Sequence, residues 1–454
     1  MMASSRLLAD ARSLFKLAGP IILSQVAMVL MGLVDTVMSG QAGATEQAVV
    51  ALGVSLWIPL FITAMSIVQA VSPVIAHHVG AGDGAAVARD AREGMWLAAW
   101  ISVVPLAVMP FTPHLLTWAG VAPALAVRTG VFLWGIMLGL PAALVYRALA
   151  FYSSAIHETM PLMVLSFVSL GCNALFNWLL IGGHFGLPAM GGAGCGWATG
   201  IGMWVGLFGL VAWTAMGPAY RPYFVWHGWS WPHRAAQWRL LKLGLPMGGA
   251  ALAEVSAFCS VAILIGRFGP VQIAAHSIAL NFASIVFMVP MGLSAAMTIL
   301  VGNALGGGDT RGAHRIAWAG MVLAWLVALA AMGPMVVGRD LITAVYSSDP
   351  AVRALAASLL WFAVFWLLFD CTQVCAIGAL RGYKVTVAPM VMMLLAFWGV
   401  GIPLGTWLGY HGWPGQAPMQ VYGFWVGLVT GLVLVSIGLL VALRSVSRPV
   451  ARAG

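Results

Sequence analysis

Runs of apolar residues separated by short polar breaks recur along all 454 residues of the chain. A helix needs about 20 such residues to cross the hydrocarbon core of a bilayer. Splitting the sequence at its charges and its Gly/Pro/polar breaks gives twelve stretches of that size. They centre near Met28, Ile62, Ser102, Ile136, Ser169, Val205, Val255, Val286, Val327, Phe365, Leu395 and Val433. The pattern predicts an all-α polytopic membrane protein with twelve transmembrane helices and little chain outside the bilayer. The first stretch follows Arg6, Arg12 and Lys16 and runs to Ala42-Gly43-Ala44, which resembles a signal-peptide cleavage site. It is too long for a signal h-region and Asp35 interrupts its end, so it is expected to stay as a span.

Composition agrees with that pattern. Hydrophobic residues make up 62% of the chain and charged residues 7%, against roughly 45–50% and about 25% in a globular protein. A soluble fold could not hide this much apolar surface, and a disordered or disulfide-stapled chain has a different composition. The net charge of +9 changes the picture only once its residues are placed. With the N-terminus inside and the spans alternating, 17 of the 21 basic residues fall on the inner side, and only Arg128, Arg267, Arg339 and Arg353 lie outside. Both termini are therefore expected in the cytoplasm. No basic helix or aromatic-interleaved patch exists, so nucleic acid is not an expected partner. The five cysteines lie in apolar stretches and read as small packing residues.

The longest polar break, residues 217–242, divides the chain into lobes at 1–216 and 243–454. It carries Trp226, Trp229, Trp231 and Trp238, as a linker lying at the headgroup level would. A shift of 226 residues superposes the halves. Lys16 falls on Lys242, Pro20 on Pro246, Gly82 on Gly308, Asp83 on Asp309 and Arg89 on Arg315. The lysine match is informative because the chain has only three lysines, Lys16, Lys242 and Lys384. Each half reads as a six-helix bundle. Six is even, so the repeats are parallel, pseudo-symmetric about an axis along the membrane normal, with a cavity expected between them.

Of the twelve acidic residues, nine lie in connectors or at span ends and read as solvated or capping groups: Asp10, Glu46, Asp83, Asp90, Glu93, Glu158, Asp309, Asp340 and Asp349. Asp35, Glu254 and Asp370 lie inside spans, where each costs roughly 2.5–3.5 kcal/mol at a helix centre. Glu254 is twelve residues after Lys242 and Asp370 eleven before Arg381. Both are thus roughly 17 Å from the cytoplasmic boundary, and Asp35 is roughly 28 Å in. No Lys or Arg occupies a comparable depth, so the acids are expected to receive a mobile cation, a proton or a cationic solute. Asn173 and Asn177 project on one face of span 5, as do Trp366, Asp370 and Gln373 on span 10. Single intramembrane Asn residues also serve as helix-packing glue. The Gly-rich turns at 79–83 and 305–309 resemble phosphate loops, but no GK[ST] follows, so ATP is not an expected partner.

With these residues placed, the chain resembles the multidrug and toxic compound extrusion (MATE) family, in its NorM-like bacterial branch. The resemblance is carried by MGLVDTVMSG (Met31 to Gly40), GGAGCGWAT (Gly191 to Thr199), AAHSIALNF (Ala274 to Phe282), FMVPMG (Phe287 to Gly292) and LRGYK (Leu380 to Lys384). It implies a V-shaped pair of six-helix bundles in the bacterial inner membrane, exporting cationic or amphipathic compounds in exchange for H⁺ or Na⁺. It places Asp35 as the N-lobe acid among Asn173, Asn177 and Thr199, and Glu254 and Asp370 as C-lobe cation-site acids able to hold Na⁺. Gln373 and Asn281 become supporting polar groups, and Trp366, Phe287 and Met288 candidates to line the substrate cavity. Similar proteins can carry a Tyr where this chain has Trp366, so a hydroxyl is missing there.

The expected function is secondary-active antiport by a monomer surrounded by lipid, with no cofactor. A lipid-linked oligosaccharide flippase of the same superfamily would carry several basic residues at mid-depth for its pyrophosphate headgroup, and none is evident. An intramembrane enzyme would show a motif such as HExxH or GxSxG, and none occurs. A non-transporting subunit would have no use for three costly acids.

Overall fold

The structure, a computed structural model, describes residues 2–118, 120–223 and 225–448, with side chains from residue 10 onward. Of the basic residues assigned to the inner side, the Arg6 side chain and Arg452 lie outside the described residues. Twelve helical spans are long and apolar enough to cross a membrane among the described residues. They are α1 (Asp10–Ala42), α2 (Ala44–Gly80), α3 (Gly84–Trp118), α4 (Pro123–Ala155), α5 (Met160–Gly182) and α6 (Gly192–Met216). The second six are α7 (Arg234–Phe268), α8 (Pro270–Gly306), α9 (Thr310–Val337), α10 (Pro350–Gly382), α11 (Val387–His411) and α12 (Val421–Val446). The expected all-α, twelve-span, multi-pass membrane architecture is what the chain forms.

The two Gly-rich turns have the same local purpose. Gly82 and Gly308 take φ of +70° and +79°, a left-handed conformation that suits glycine. Each reverses the chain into an aspartate N-cap. The Asp83 carboxylate accepts from Ala86 N–H at 3.0 Å, and Asp309 from Gly312 N–H at 2.7 Å. These side chains satisfy donors that the first helical turn leaves open. The turns start α3 and α9 and leave no phosphate cradle to explain.

The chain forms two compact units, one of residues 1–22 with 249–454 and one of residues 23–248. Their boundaries obey the repeat, since 22 and 248 are 226 apart. Each unit thus holds the leading part of the other half's first helix. Leu14 of α1 is fully buried in the core of the first unit, and its repeat partner Leu240 of α7 in the core of the second. Pro20 and Pro246 lie inside these helices, two residues before each crossover. A proline there removes one main-chain hydrogen bond and loosens the helix at that point.

An ion pair ties each crossing segment down. In unit 1–22/249–454, the Arg315 guanidinium of α9 donates to the Asp10 carboxylate of α1. In unit 23–248 the polarity is reversed. Arg239 of α7 donates to both oxygens of Asp90 on α3, at 2.8 and 2.9 Å, and His78 and Arg89 approach the same carboxylate at 3.1 and 3.4 Å. One turn on, Glu93 accepts from the backbone N–H of His233 at 2.9 Å and the Gln237 amide at 2.5 Å. Sequence position alone implied solvated side chains for Asp90 and Glu93, and the structure corrects this. They are 1% and 2% exposed, because residues 227–239 fold back over α3 and bring the cations and donors with them.

Candidate functional site

Asp35 sits in α1 within unit 23–248. Its Oδ1 accepts from Asn173 Nδ2 at 3.1 Å and Asn177 Nδ2 at 2.6 Å, and its Oδ2 from Thr199 Oγ1 at 3.2 Å. The two amides stand one turn apart on α5 and are fully buried. Asn177 Nδ2 also lies 3.2 Å from Asn173 Oδ1, and Asn173 Nδ2 lies 3.1 Å from Thr199 Oγ1, so the donors brace one another. All the groups assigned to Asp35 are brought together. Thr199 reaches it because α6 packs unusually close to α4. A Cβ built on Gly196 would stand 2.0 Å from Phe132 O, and one on Gly200 2.2 Å from Gly135 O. Small residues four apart permit such backbone contact in a membrane, and the GGAGCGWAT run supplies them. Asn177 Oδ1 remains a buried acceptor with no partner among the described residues.

The second carboxylate group is in unit 1–22/249–454. Gln373 Nε2 of α10 donates to Glu254 Oε1 of α7 at 2.9 Å. Asp370 stands one turn before Gln373 and one turn after Trp366 on α10, close enough to Glu254 for the two charges to interact. Gln373 Oε1 is buried without a partner among the described residues. Beside the pair, α11 takes a π-helical pitch over Leu394–Gly401. This places the Trp398 N–H 3.0 Å from Ala253 O, next to Glu254. π-Helical turns recur where a helix must aim a group at a site.

Close packing of α8 on α10 holds this arrangement. A Cβ on Gly378 would meet Ser294 O at 2.4 Å, and Ser294 Oγ donates to Val374 O at 2.7 Å. Asn281, Phe287 and Met288 make no hydrogen bond to the acids among the described residues. Asn281 is exposed and donates to Ser277 O on its own helix. Phe287 and Met288 are half-buried on α8. Trp366 is enclosed, its ring 5.4 Å from that of Phe258 and 6.1 Å from that of Trp425.

Two groups were not legible from spacing. Arg381 and Glu254 interact electrostatically, so Glu254 does not lack a basic neighbour. Residue counting put Arg381 a full half-membrane away, but it measures helix positions and omits the reach of a long guanidinium side chain. His276, in the AAHSIALNF run, is 1% exposed and faces Trp425 with neither ring nitrogen paired among the described residues. The only sequence signal for it was a titratable residue inside an apolar span.

A scaffold of twelve membrane-spanning helices built as a twofold repeat is that of a membrane transporter. The MatE family profile matches residues 20–179 and again 246–407, two copies that start at the same 226-residue offset. The chain belongs to the MatE family. It is 41% identical to the Multidrug resistance protein PmpM of Pseudomonas aeruginosa, over 98% of this chain and 93% of that one. It is 37% identical to the Probable multidrug resistance protein NorM of Chromobacterium violaceum, over 98% and 96%. Among solved structures, the eukaryotic MATE transporter AtDTX14 superposes with a TM-score of 0.87 at 19% identity, covering 97% of this chain and 98% of that one. At that identity the likeness speaks for the fold alone.

Proposed function

We propose that this transporter is a multidrug efflux antiporter of the bacterial inner membrane, with both termini cytoplasmic. It exports cationic and amphipathic compounds while Asp35, Glu254 and Asp370 carry the coupling ion inward. The names of the PmpM and NorM relatives support drug export, and the basic-residue distribution supports the orientation. Coupling requires that ion binding favour one of the inward- and outward-facing states over the other. Phe287, Met288 and other apolar and Met-rich surfaces suit a permissive substrate range.

The coupling ion we favour is the proton, and one observation carries that choice. Trp366 stands one turn before Asp370 on the same helix, buried like it, and an indole there offers a donor without an acceptor. It can steady a carboxylate but cannot ligate a metal cation. The other close contacts to the acids are also donors: the Asn173, Asn177 and Gln373 amides and the Thr199 hydroxyl. A Na⁺-coupled reading draws on Gln373 Oε1, an unpaired buried oxygen next to Glu254 that could face a cation. Dye efflux from proteoliposomes under an imposed pH gradient without sodium, and then under a sodium gradient at equal pH, separates the two. Efflux driven only by sodium overturns the proton reading. Efflux driven by neither overturns antiport itself.

A further inference from the structure

A groove of about 460 Å³ runs along the side of unit 23–248, between α3 and the start of α7. Its wall is Leu97, Ile101, Val104 and Leu241, with Trp100 at its edge and Arg234 and Gln237 at one end. Trp100 and Val104 are 57% and 68% exposed on a span that a bilayer covers. An apolar track with a cation at one end matches a lipid: chain along the wall, headgroup at the guanidinium.

The charges around the groove say which lipid. The carboxylates of Asp90 and Glu93 are turned inward and taken up by Arg239, Arg89, His78, His233 and Gln237. Arg234 is exposed and has neither an ion pair nor a hydrogen bond among the described residues. Arg92 spends its donors on the carbonyls of His227 and Gly228. Among the described residues, this end of the groove therefore has cations and no free carboxylate. A zwitterionic headgroup brings its own cation to such a place, whereas an anionic phosphodiester brings only the missing charge, with two oxygens for the guanidinium fork.

Indoles set the level of the headgroup. Trp96 stacks on Trp231 at 5.6 Å and lies 6.0 Å from Trp229, and Trp96 Nε1 donates to Ser230 O at 3.1 Å. Such aromatic clusters mark the membrane–water boundary. We infer that the groove between α3 and α7 is a binding site for one anionic phospholipid, its phosphate on Arg234 and an acyl chain along Leu97, Ile101 and Val104. The site is independent of the transport reaction and of its coupling ion.

Native mass spectrometry of the delipidated full-length protein tests this with equimolar phosphatidylglycerol and phosphatidylcholine of matched chains. Wild type should retain phosphatidylglycerol preferentially. Arg234→Gln should lower its retention about five-fold and leave phosphatidylcholine unchanged, the effect of one interfacial cation. Arg234→Lys should keep most of the preference, and Val104→Trp, which fills the track, should lower both lipids. Arg221→Gln removes an exposed cation outside the groove and should change little. Excess inorganic phosphate should not displace the lipid. The proposal fails if Arg234→Gln behaves as wild type, if Arg221→Gln matches it, or if free phosphate competes. Arg234 is exposed, so its variants should fold, and an unchanged elution profile and unfolding temperature verify it.

Discussion

One carboxylate in unit 23–248 collects three neutral donors, while the two carboxylates in unit 1–22/249–454 have one between them among the described residues. Asp35 is held by Asn173, Asn177 and Thr199. Glu254 has the Gln373 amide, and Asp370 stands one turn after Trp366. The scaffolds beneath them are repeats, down to the aspartate caps of α3 and α9 and the exchanged leading segments of α1 and α7. Their chemistry is not repeated, since Val261, Met28 and Leu144 stand 226 residues from the three acids. Duplication thus supplied two similar frames, and the side chains within them were set separately. A single acid in a redundant shell can change charge with little rearrangement. Two acids within each other's field answer as one unit, because a charge change on either is felt by both.

The largest effects should come from the pair. Glu254→Gln and Asp370→Asn should each cut gradient-driven dye efflux at least about ten-fold, with normal abundance in the membrane, and the double variant should be little worse than either single one. Partial losses that multiply in the double variant would show two independent sites. Asp35→Asn keeps the side-chain shape while removing its charge change. It should bind a cationic dye within about three-fold of wild type yet lose most efflux under the same gradient. Dye binding to purified protein, measured beside efflux from proteoliposomes, checks this. Normal efflux by Asp35→Asn would reduce the residue to a packing group.

The architecture and the acids were legible in the sequence because both are constraints of the bilayer. A span must be apolar for about 20 residues, and an acid within one stands out against its cost. The repeat was legible through rare residues such as Lys16 and Lys242. The crossover after Ile22 and Gly248 was not, because a helix that passes between two compact units has the same apolar pattern as one that stays in place. The burial of Asp90 and Glu93 was hidden for a similar reason. It depends on residues 227–239 folding back, a contact more than 130 residues away in sequence. Arg381 was discounted because helical rise locates a Cα, not the end of a guanidinium.

The two ion-pair clamps extend the comparison to stability. Asp90 is enclosed and meets three basic groups, whereas Asp10 has only Arg315 among the described side chains and keeps some solvent contact. Charged hydrogen bonds to a buried carboxylate contribute about 1.5–3 kcal/mol, so Asp90→Asn should destabilise the protein by about that amount. Asp10→Asn loses a partly exposed pair and should cost about 1 kcal/mol or less. Unfolding in detergent micelles gives the order. Equal losses would mean that the added partners of Asp90 do not strengthen its clamp.

The smallest effect tests redundancy at the acids themselves. Thr199→Val removes one donor from Asp35 with almost no change of shape, and the amides of Asn173 and Asn177 still reach Oδ1. The loss at Asp35 is about one neutral hydrogen bond, about 0.5–1.5 kcal/mol, or a two- to ten-fold change in the equilibrium that depends on it. Efflux should fall by the lower part of that range, because the remaining donors brace each other at 3.2 Å. Gln373→Leu also removes a single amide donor, but from Glu254, to which Gln373 is the one side-chain hydrogen-bond donor shown among the described residues. Its effect on initial efflux rate should be clearly larger than that of Thr199→Val. Thr199→Val also loses the bond from Asn173, so a smaller effect than that of Gln373→Leu reports the shell around the acid rather than the number of bonds deleted. Equal rates for the two would show that the donor-rich shell of Asp35 gives no protection, and the contrast between the two centres would then rest on acid count alone.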